Sequence, residues 1–411
     1  MKITKQFIYG ALIILLIVLF VFFEKLFSSP KESEYQNIEP IAVHTNGKYF
    51  AGSQTCAECH IDIFKTHIET AHYNSSAIAN EDNIKGSFEI GKNQYNLNEY
   101  LKFVMDKKED GFYQNVLYIS DSTLVNSKKF DIVIGSGTKG QTYLSWKKNQ
   151  LNQLQISYFE PTNSWINSPG YPTDQLNLER PIEGRCLECH ATFVENTANF
   201  NKLNVYNKSN MVYGIDCERC HGPAAEHVNF HKKNPEVLEP KAIMSYKNLS
   251  RQQKLDACAL CHSGKREQTN GTPFSFMAGD LLDKYSIPDY NENSLKDLDV
   301  HGNQYGLLSA SKCFIKSETM DCSTCHDVHK KQRNETSFFI QKCMSCHSDN
   351  HEVKCAVDPT ISSVNGNNCI QCHMPKNKSN SIMVQEANSS ETSIPSFQVI
   401  THFIGIYEKQ L

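Results

Sequence analysis

The chain has 411 residues, 39% of them hydrophobic, and a formal charge of −4. The length allows two or three domains or one large one, and the charge argues against a nucleic-acid binder, which needs a basic face. The apolar fraction gives a modest core, so something besides side chains must help to fill the interior, and the 16 cysteines indicate what.

At the N-terminus, Lys2 and Lys5 precede an uncharged apolar run from Phe7 to Phe23, closed by Glu24 and Lys25. Its 17 residues are at the short end for a spanning helix, and Leu26 and Phe27 can extend it. We read residues 1–27 as a single membrane anchor with a cytoplasmic N-terminus. The expected location is the bacterial cytoplasmic membrane, with the body facing the periplasm. A cleaved signal peptide is the alternative, although Phe27-Ser-Ser-Pro30 is a poor cleavage site. Residues 28–50, rich in Ser, Pro, Glu, Lys and Asn, read as a flexible linker.

Fourteen of the cysteines then fall into seven copies of Cys-x-x-Cys-His. The copies are Cys56/Cys59/His60, Cys186/Cys189/His190, Cys217/Cys220/His221, Cys258/Cys261/His262, Cys322/Cys325/His326, Cys343/Cys346/His347 and Cys369/Cys372/His373. This is the c-type haem attachment pattern. Two residues between the cysteines match the sulfur spacing to the two vinyl groups of one haem, and the adjacent histidine supplies the proximal nitrogen to the iron. A zinc knuckle or redox pair would not require histidine at that offset. The expected cofactor is haem c, seven copies, covalently bound, with all fourteen cysteines as anchors.

The first motif lies in a segment 51–84. The intervals between first cysteines are 130, 31, 41, 64, 21 and 26 residues, so there is no solenoid period. The long first interval reads as a haem-free β-rich insertion at 85–175, with an antiparallel sheet at about residues 85 to 160. Its expected strands are Phe112–Ile119 after an Asp110-Gly111 turn, Phe130–Ile134, Thr142–Trp146 and Leu151–Phe159. Gly135-Ser-Gly-Thr-Lys139-Gly140 misses the spacing of a phosphate loop and reads as a turn. A three-haem segment at 180–263, a haem-free connector at 264–299 and a three-haem C-terminal segment at 300–411 complete the chain. Strand signals fade after residue 180. The expected fold is therefore mainly α, with extensive loops wrapped round a covalent haem array, plus a small antiparallel β insertion.

Nine histidines remain for the sixth iron position. His227, His329 and His351 follow their own proximal histidines by six, three and four residues. Each therefore lies on the proximal side of its own ring and can reach only a neighbouring haem. We take His72, His227, His301, His329, His351 and His402 as distal ligands. His67 and His231 rank behind them, and His44, in the linker, last. The leftover cysteines, Cys313 and Cys355, are expected to form a disulfide in an oxidising compartment, two unrelated thiols being the alternative.

Ser53-Gln-Thr-Cys-Ala-Glu-Cys-His60 with Thr70-Ala-His72 resembles the opening of the cytochrome c-552/c-554 multihaem family. So do Gly214-Ile-Asp-Cys-Glu-Arg-Cys-His-Gly-Pro223 with Glu226-His227, Cys322 to His329, Cys369 to Pro375 and Ser164-Trp-Ile-Asn-Ser-Pro-Gly-Tyr171. The resemblance is patchy and spans residues 53 to 403. It implies bacterial electron transfer, with His72, His227, His301, His329 and His402 as distal ligands. Hydroxylamine oxidoreductase is an enzymatic relative. Here no motif has Lys in place of His, as the cytochrome c nitrite reductases have, and no crosslinking tyrosine can be placed. The favoured reading is an electron carrier whose partners are redox proteins or membrane quinol-linked donors. One rival is an oxidoreductase with one open haem acting on a small nitrogen or sulfur compound. Another is an electron-transfer subunit whose β insertion docks a partner.

Overall fold

The computed structural model describes Leu16, Leu19, Phe20, Phe23 and residues 37–197, 203–289, 298–347, 368–379 and 398–407. His351 and Cys355 fall outside these residues, as does most of the N-terminal apolar run. No helix among the described residues is long and apolar enough to cross a membrane.

Two antiparallel sheets fill most of the long interval between the first and second motifs. Gln94–Asn96, Leu101–Lys108, Gly111–Tyr118 and Leu124–Lys129 form a four-stranded meander in sequence order. Lys108 pairs with Gly111, so the chain reverses over Glu109 and Asp110. Burial alternates along Leu101–Lys108: Phe103 and Met105 are buried and their neighbours are not, the period of a strand with one covered face. The second sheet has seven strands. Its path runs Ser164–Asn167, Ile156–Phe159, Gly140–Lys147, Gln150–Gln153, Arg180–Pro181, while Ser76–Ile78 pairs with Ile132–Ile134, which pairs with Gly140–Lys147. The stretch expected as one strand, Leu151–Phe159, is two, broken at Leu154 and Gln155, because Gln150–Gln153 and Ile156–Phe159 pair with different parts of the same neighbour.

Between the sheets lies an apolar core of Phe103, Met105, Val116, Phe130, Tyr143, Ile156 and Trp165. Phe130 and Tyr143 stack at 4.5 Å and 7°. A second core joins the seven-stranded sheet to Leu187, beside the second motif, and to Phe193, Tyr206 and Val212.

The fold is not mainly α. Helix accounts for 27% and strand for 26%. Two physical reasons correct the expectation. Each haem motif needs only about one helical turn, so most helices are short. Strands also continue past residue 180: Ala191–Asn196 pairs with Tyr206–Tyr213, Arg266–Gln268 with Ser286–Pro288, and Lys376–Lys378 with Gln398–Ile400.

Candidate haem centres

Each motif folds as a turn, and in most of them the turn places the histidine over the first cysteine; in the second the His190 N–H donates to the Leu187 carbonyl instead, at 2.9 Å. The N–H of His60 donates to the Cys56 carbonyl at 2.9 Å, that of His326 to Cys322 at 3.0 Å and that of His347 to Cys343 at 3.0 Å. Local caps fix where these turns start. The Asp216 carboxylate accepts the N–H of Cys217, and Asp321 forms a capping box with Thr324. Ser250 and Gln253 do the same for the helix Arg251–His262, which ends on the fourth motif.

Three motif histidines face a second histidine at nearly one separation. His262 and His72 have ring centres 6.1 Å apart, His221 and His329 6.3 Å, and His326 and His402 6.2 Å. Imidazole nitrogens bind a transition metal at about 2 Å, so two imidazoles on opposite sides of one metal have centres roughly 6 Å apart. The residues therefore fit an iron between each pair. The ring planes differ: 12° at His221/His329, 26° at His326/His402 and 72° at His72/His262. His329 faces the third motif, not His326 three residues before it.

In four histidines the Nδ1 nitrogen is arranged for the same task, while Nδ1 of His190 and of His402 is buried without a partner. Nδ1 of His221 faces the Met244 carbonyl at 2.9 Å, that of His373 the Gly405 carbonyl at 2.8 Å, and that of His262 the Gln304 Oε1 at 3.1 Å. Nδ1 of His227 faces the Lys241 carbonyl at 2.8 Å. A donor bond from Nδ1 fixes the ring and leaves the Nε2 lone pair for a metal. Burial favours the neutral imidazole, the ligating form. It lowers the pKa of His72 and His402 to about 4, and lowers those of His190, His221, His262, His301, His326 and His329 as well. Behind burial, His301 depresses the proton affinity of His190, and His231, then His60 and His221, that of His227, so these histidines are electrostatic neighbours.

Two further histidines have both ring nitrogens occupied elsewhere, and His67 has one, its Nδ1 being buried without a partner and its ring 6.1 Å from that of His329. His44 presents Nε2 to the Phe274 carbonyl at 2.9 Å, accepts the Asn46 N–H at 3.2 Å on Nδ1, and packs against Phe50 and Phe193. His231 uses Nδ1 toward the Val237 carbonyl at 3.0 Å and Nε2 toward the Lys241 N–H at 3.3 Å. His67 presents Nε2 to the Ile215 carbonyl at 3.2 Å. Cys313 forms no bridge to another described cysteine.

The motifs touch in an order that differs from their sequence order. The turn Ser53–Ala57 of the first motif packs on Cys217–His221 of the third. Tyr246 lies 5.6 Å from the His221 ring and is an electrostatic neighbour of Cys220 and of Cys258 of the fourth. The helix Arg251–His262 packs on Cys322–Thr324 of the fifth. Phe339, on the helix Thr336–Met344 that leads into the sixth motif, lies 5.2 Å from His326. That helix packs on Cys369–His373 of the seventh. The second motif meets this line from the side: Arg185 donates to the Leu260 carbonyl at 2.7 Å, and Arg219 to the Glu188 carbonyl at 3.3 Å.

The motif cysteines, all expected to anchor haem, are not placed alike. Cysteines of different motifs lie near enough to interact electrostatically, as Cys56 does with Cys217, Cys189 with Cys261, Cys258 with Cys322 and Cys343 with Cys369. Cys59 and Cys346 are exposed and Cys372 is half-buried. The Cys346 sulfur accepts only a long contact from the Ser345 hydroxyl next to it, at 4.0 Å. Cys186, in the second motif, is exposed as well, so exposure does not follow position along the line.

The seven-stranded sheet reaches this line directly. The hydroxyls of Ser75 and Ser76 both donate to the His190 carbonyl, at 2.9 and 2.6 Å, and Ile215 N–H donates to the His72 carbonyl at 2.8 Å. The close approach needs Gly214, whose φ is +67° and where an added Cβ would lie 2.1 Å from the Tyr73 carbonyl oxygen. Sequence reasoning missed Gln304, Arg185, Glu188, Arg219 and Glu218. Four of these sit in or beside a motif, where only cysteine and histidine were weighed, and Gln304 carries no local signal.

A model of the family "Cytochrome c554 and c-prime" matches residues 141–222, which hold the second and third motifs and part of the seven-stranded sheet. The chain is a multihaem c-type cytochrome. No curated protein matches it. Among solved structures the cytochrome is similar to the outer cell wall cytochrome OcwA, with a TM-score of 0.52 and 18% identity over 81% of this chain and 78% of that one. An undecahaem cytochrome from the S-layer of Carboxydothermus ferrireducens aligns with a TM-score of 0.43 and 16% identity, over 91% of this chain and 53% of that one. The expected location, a single N-terminal anchor in the bacterial cytoplasmic membrane with a periplasm-facing body, is corrected. Among the described residues no helix is long and apolar enough to span, and Leu16, Leu19, Phe20 and Phe23 belong to a run already at the short limit.

Proposed function

We propose that this cytochrome holds seven c-type haems and transfers electrons between redox partner proteins. When bound, haem iron supplies one-electron chemistry. The chain's part is to fix, space and ligate the centres. The observation that carries the reading is the set of three histidine pairs at 6.1 to 6.3 Å, each joining a motif histidine to a spare histidine from elsewhere in the chain. On this reading His72, His329 and His402 serve the fourth, third and fifth motifs. His301 serves the second and His227 the first, on their electrostatic proximity to His190 and His60. His351, outside the described residues, is assigned to the seventh motif, since its own motif is the sixth. The order of motif contacts, first-third-fourth-fifth-sixth-seventh with the second on a branch, suits a continuous line of centres. Cys59, Cys346 and Cys372 are taken as anchors with the other eleven motif cysteines, on the strength of the repeated motif alone. Ligation by histidine rather than methionine favours low potentials.

Mass spectrometry of the matured protein tests the count: seven covalent haem additions are expected, and five or fewer would overturn it. Six histidines are assigned to seven centres, so EPR of the ferric protein should show low-spin iron at about six centres in seven. Turnover of nitrite or hydroxylamine at the remaining centre would replace this reading with an enzymatic one. The reading in which the β region docks a partner has its own support. Tyr100, Tyr118, Ile119, Leu124 and Val125 are all exposed at one end of the four-stranded sheet, where Ile119 N–H donates to the Tyr100 carbonyl and Leu117 pairs with Leu124.

A further inference from the structure

One buried carboxylate of the third motif is committed to the first. Glu218, 4% exposed, accepts three backbone N–H groups. Its Oε1 takes those of Ala51 at 2.8 Å and Ala224 at 2.7 Å, and its Oε2 takes that of Gly52 at 2.8 Å. Ala51 and Gly52 lead into the turn that carries Cys56. Ala224 is the N-cap of the helix Ala225–Lys233, which carries His227. Three small residues, Ala51, Ala224 and Ala225, pack together here and let the two backbones approach. At the far end of the same helix, Lys232 pairs with Glu58 of the first motif at 2.8 Å. The helix bearing His227 is thus fixed to the first motif at both ends, and only the Glu218 end is shielded from water, where a charge-assisted bond is strongest.

We propose that Glu218 is a positioning residue for the centre at the first motif, holding the His227 helix against the Cys56 turn so that His227 faces His60 across the cofactor. The inference rests on His227 being the distal ligand of that centre. A glutamate in a variable position of the third motif thereby sets the axial geometry of the first. The third motif has a cap of its own, Asp216.

The test is EPR and electronic spectroscopy of the matured full-length protein, with haem content checked for each variant. His227→Ala should turn about one further iron in seven high-spin, and added imidazole should return it to low-spin. Glu218→Ala should produce the same high-spin signal at full haem content, and the double variant should add nothing further. Glu218→Gln keeps one acceptor for Ala51 and Ala224 but sets an amide donor against Gly52, so it should give a partial signal. Glu218→Asp should recover most of the low-spin form. If Glu218→Ala does not mature, the Gln variant carries the test alone. A Glu218→Ala or Gln variant with no added high-spin iron, beside a His227→Ala variant that gains it, would overturn the positioning role and leave the ligand assignment standing. A His227→Ala variant with no added high-spin iron would overturn both.

Discussion

The β region and the C-terminal motif region are built on opposite plans. Between the two sheets, side chains cover one another: Phe103, Met105, Ile156 and Tyr143 are fully buried, and Phe88, Phe130, Tyr143 and Trp165 form a cluster of aromatic contacts. The helix Thr336–Met344 also carries apolar residues, Phe338, Phe339, Ile340 and Met344, yet none of its residues is buried by protein atoms, and the same holds for Cys369–His373. The first region folds on its own side chains. The second presents apolar surface and paired imidazoles toward a cofactor, so its stability is tied to covalent maturation.

The largest expected effect breaks that comparison outright. Chain produced without haem attachment should lose protease resistance and helical signal in the motif regions. A fragment containing the two sheets, between about Ser76 and Pro181, should persist. Loss of both regions together would show that the sheets are not self-sufficient. A smaller and opposite pair of variants sharpens the contrast. Phe103→Ala should cost about 3–5 kcal/mol in denaturant unfolding of the β region while leaving the haem spectra unchanged. His329→Ala should leave that unfolding unchanged and turn the iron at His221 high-spin.

Gly214→Ala probes the seam between the regions. It forces an L side chain to positive φ and against the Tyr73 carbonyl, a strain of about 1–3 kcal/mol. Because Ile215 holds His72 through a backbone bond, the spectrum of the centre between His72 and His262 should shift. An unshifted spectrum would uncouple the seam from the ligand. The smallest effect is spectroscopic in the unaltered protein. The near-parallel rings of His221 and His329 should give a rhombic low-spin EPR signal, and the near-perpendicular rings of His72 and His262 a strongly anisotropic one.

The haem c cofactor was legible because Cys-x-x-Cys-His is local: five residues carry the whole signal. The same locality hid the difference between Cys56, which meets another motif, and Cys59, which is exposed, since covering depends on what packs nearby. The offset of His329 from His326 showed that it must leave its own iron. It did not show that His221 was the target, because that choice depends on which helices pack together. The strands of the long interval were legible where burial alternates, as at Leu101–Lys108. Ala191–Asn196 was missed because its first four residues are all buried. A strand covered on both faces loses its period of two and cannot be told from any other apolar run. That omission, repeated in the later hairpins, is why a mainly α fold was expected. Glu218 was invisible because its partners are backbone amides 166, 167 and 6 residues away, which no side-chain pattern records.

The three paired histidines stand 190, 108 and 76 positions apart in sequence. On the proposed ligation each pair would be a cross-link closing a long loop, and chain-entropy reasoning values such a closure at roughly 4–5 kcal/mol for a loop of about 100 residues. These loops overlap, since the one from His221 to His329 starts inside that from His72 to His262 and ends beyond it. The chain is therefore laced rather than merely stapled. Unlike a disulfide lacing, this one can be undone without a reductant, by any small ligand that outcompetes an imidazole for its iron.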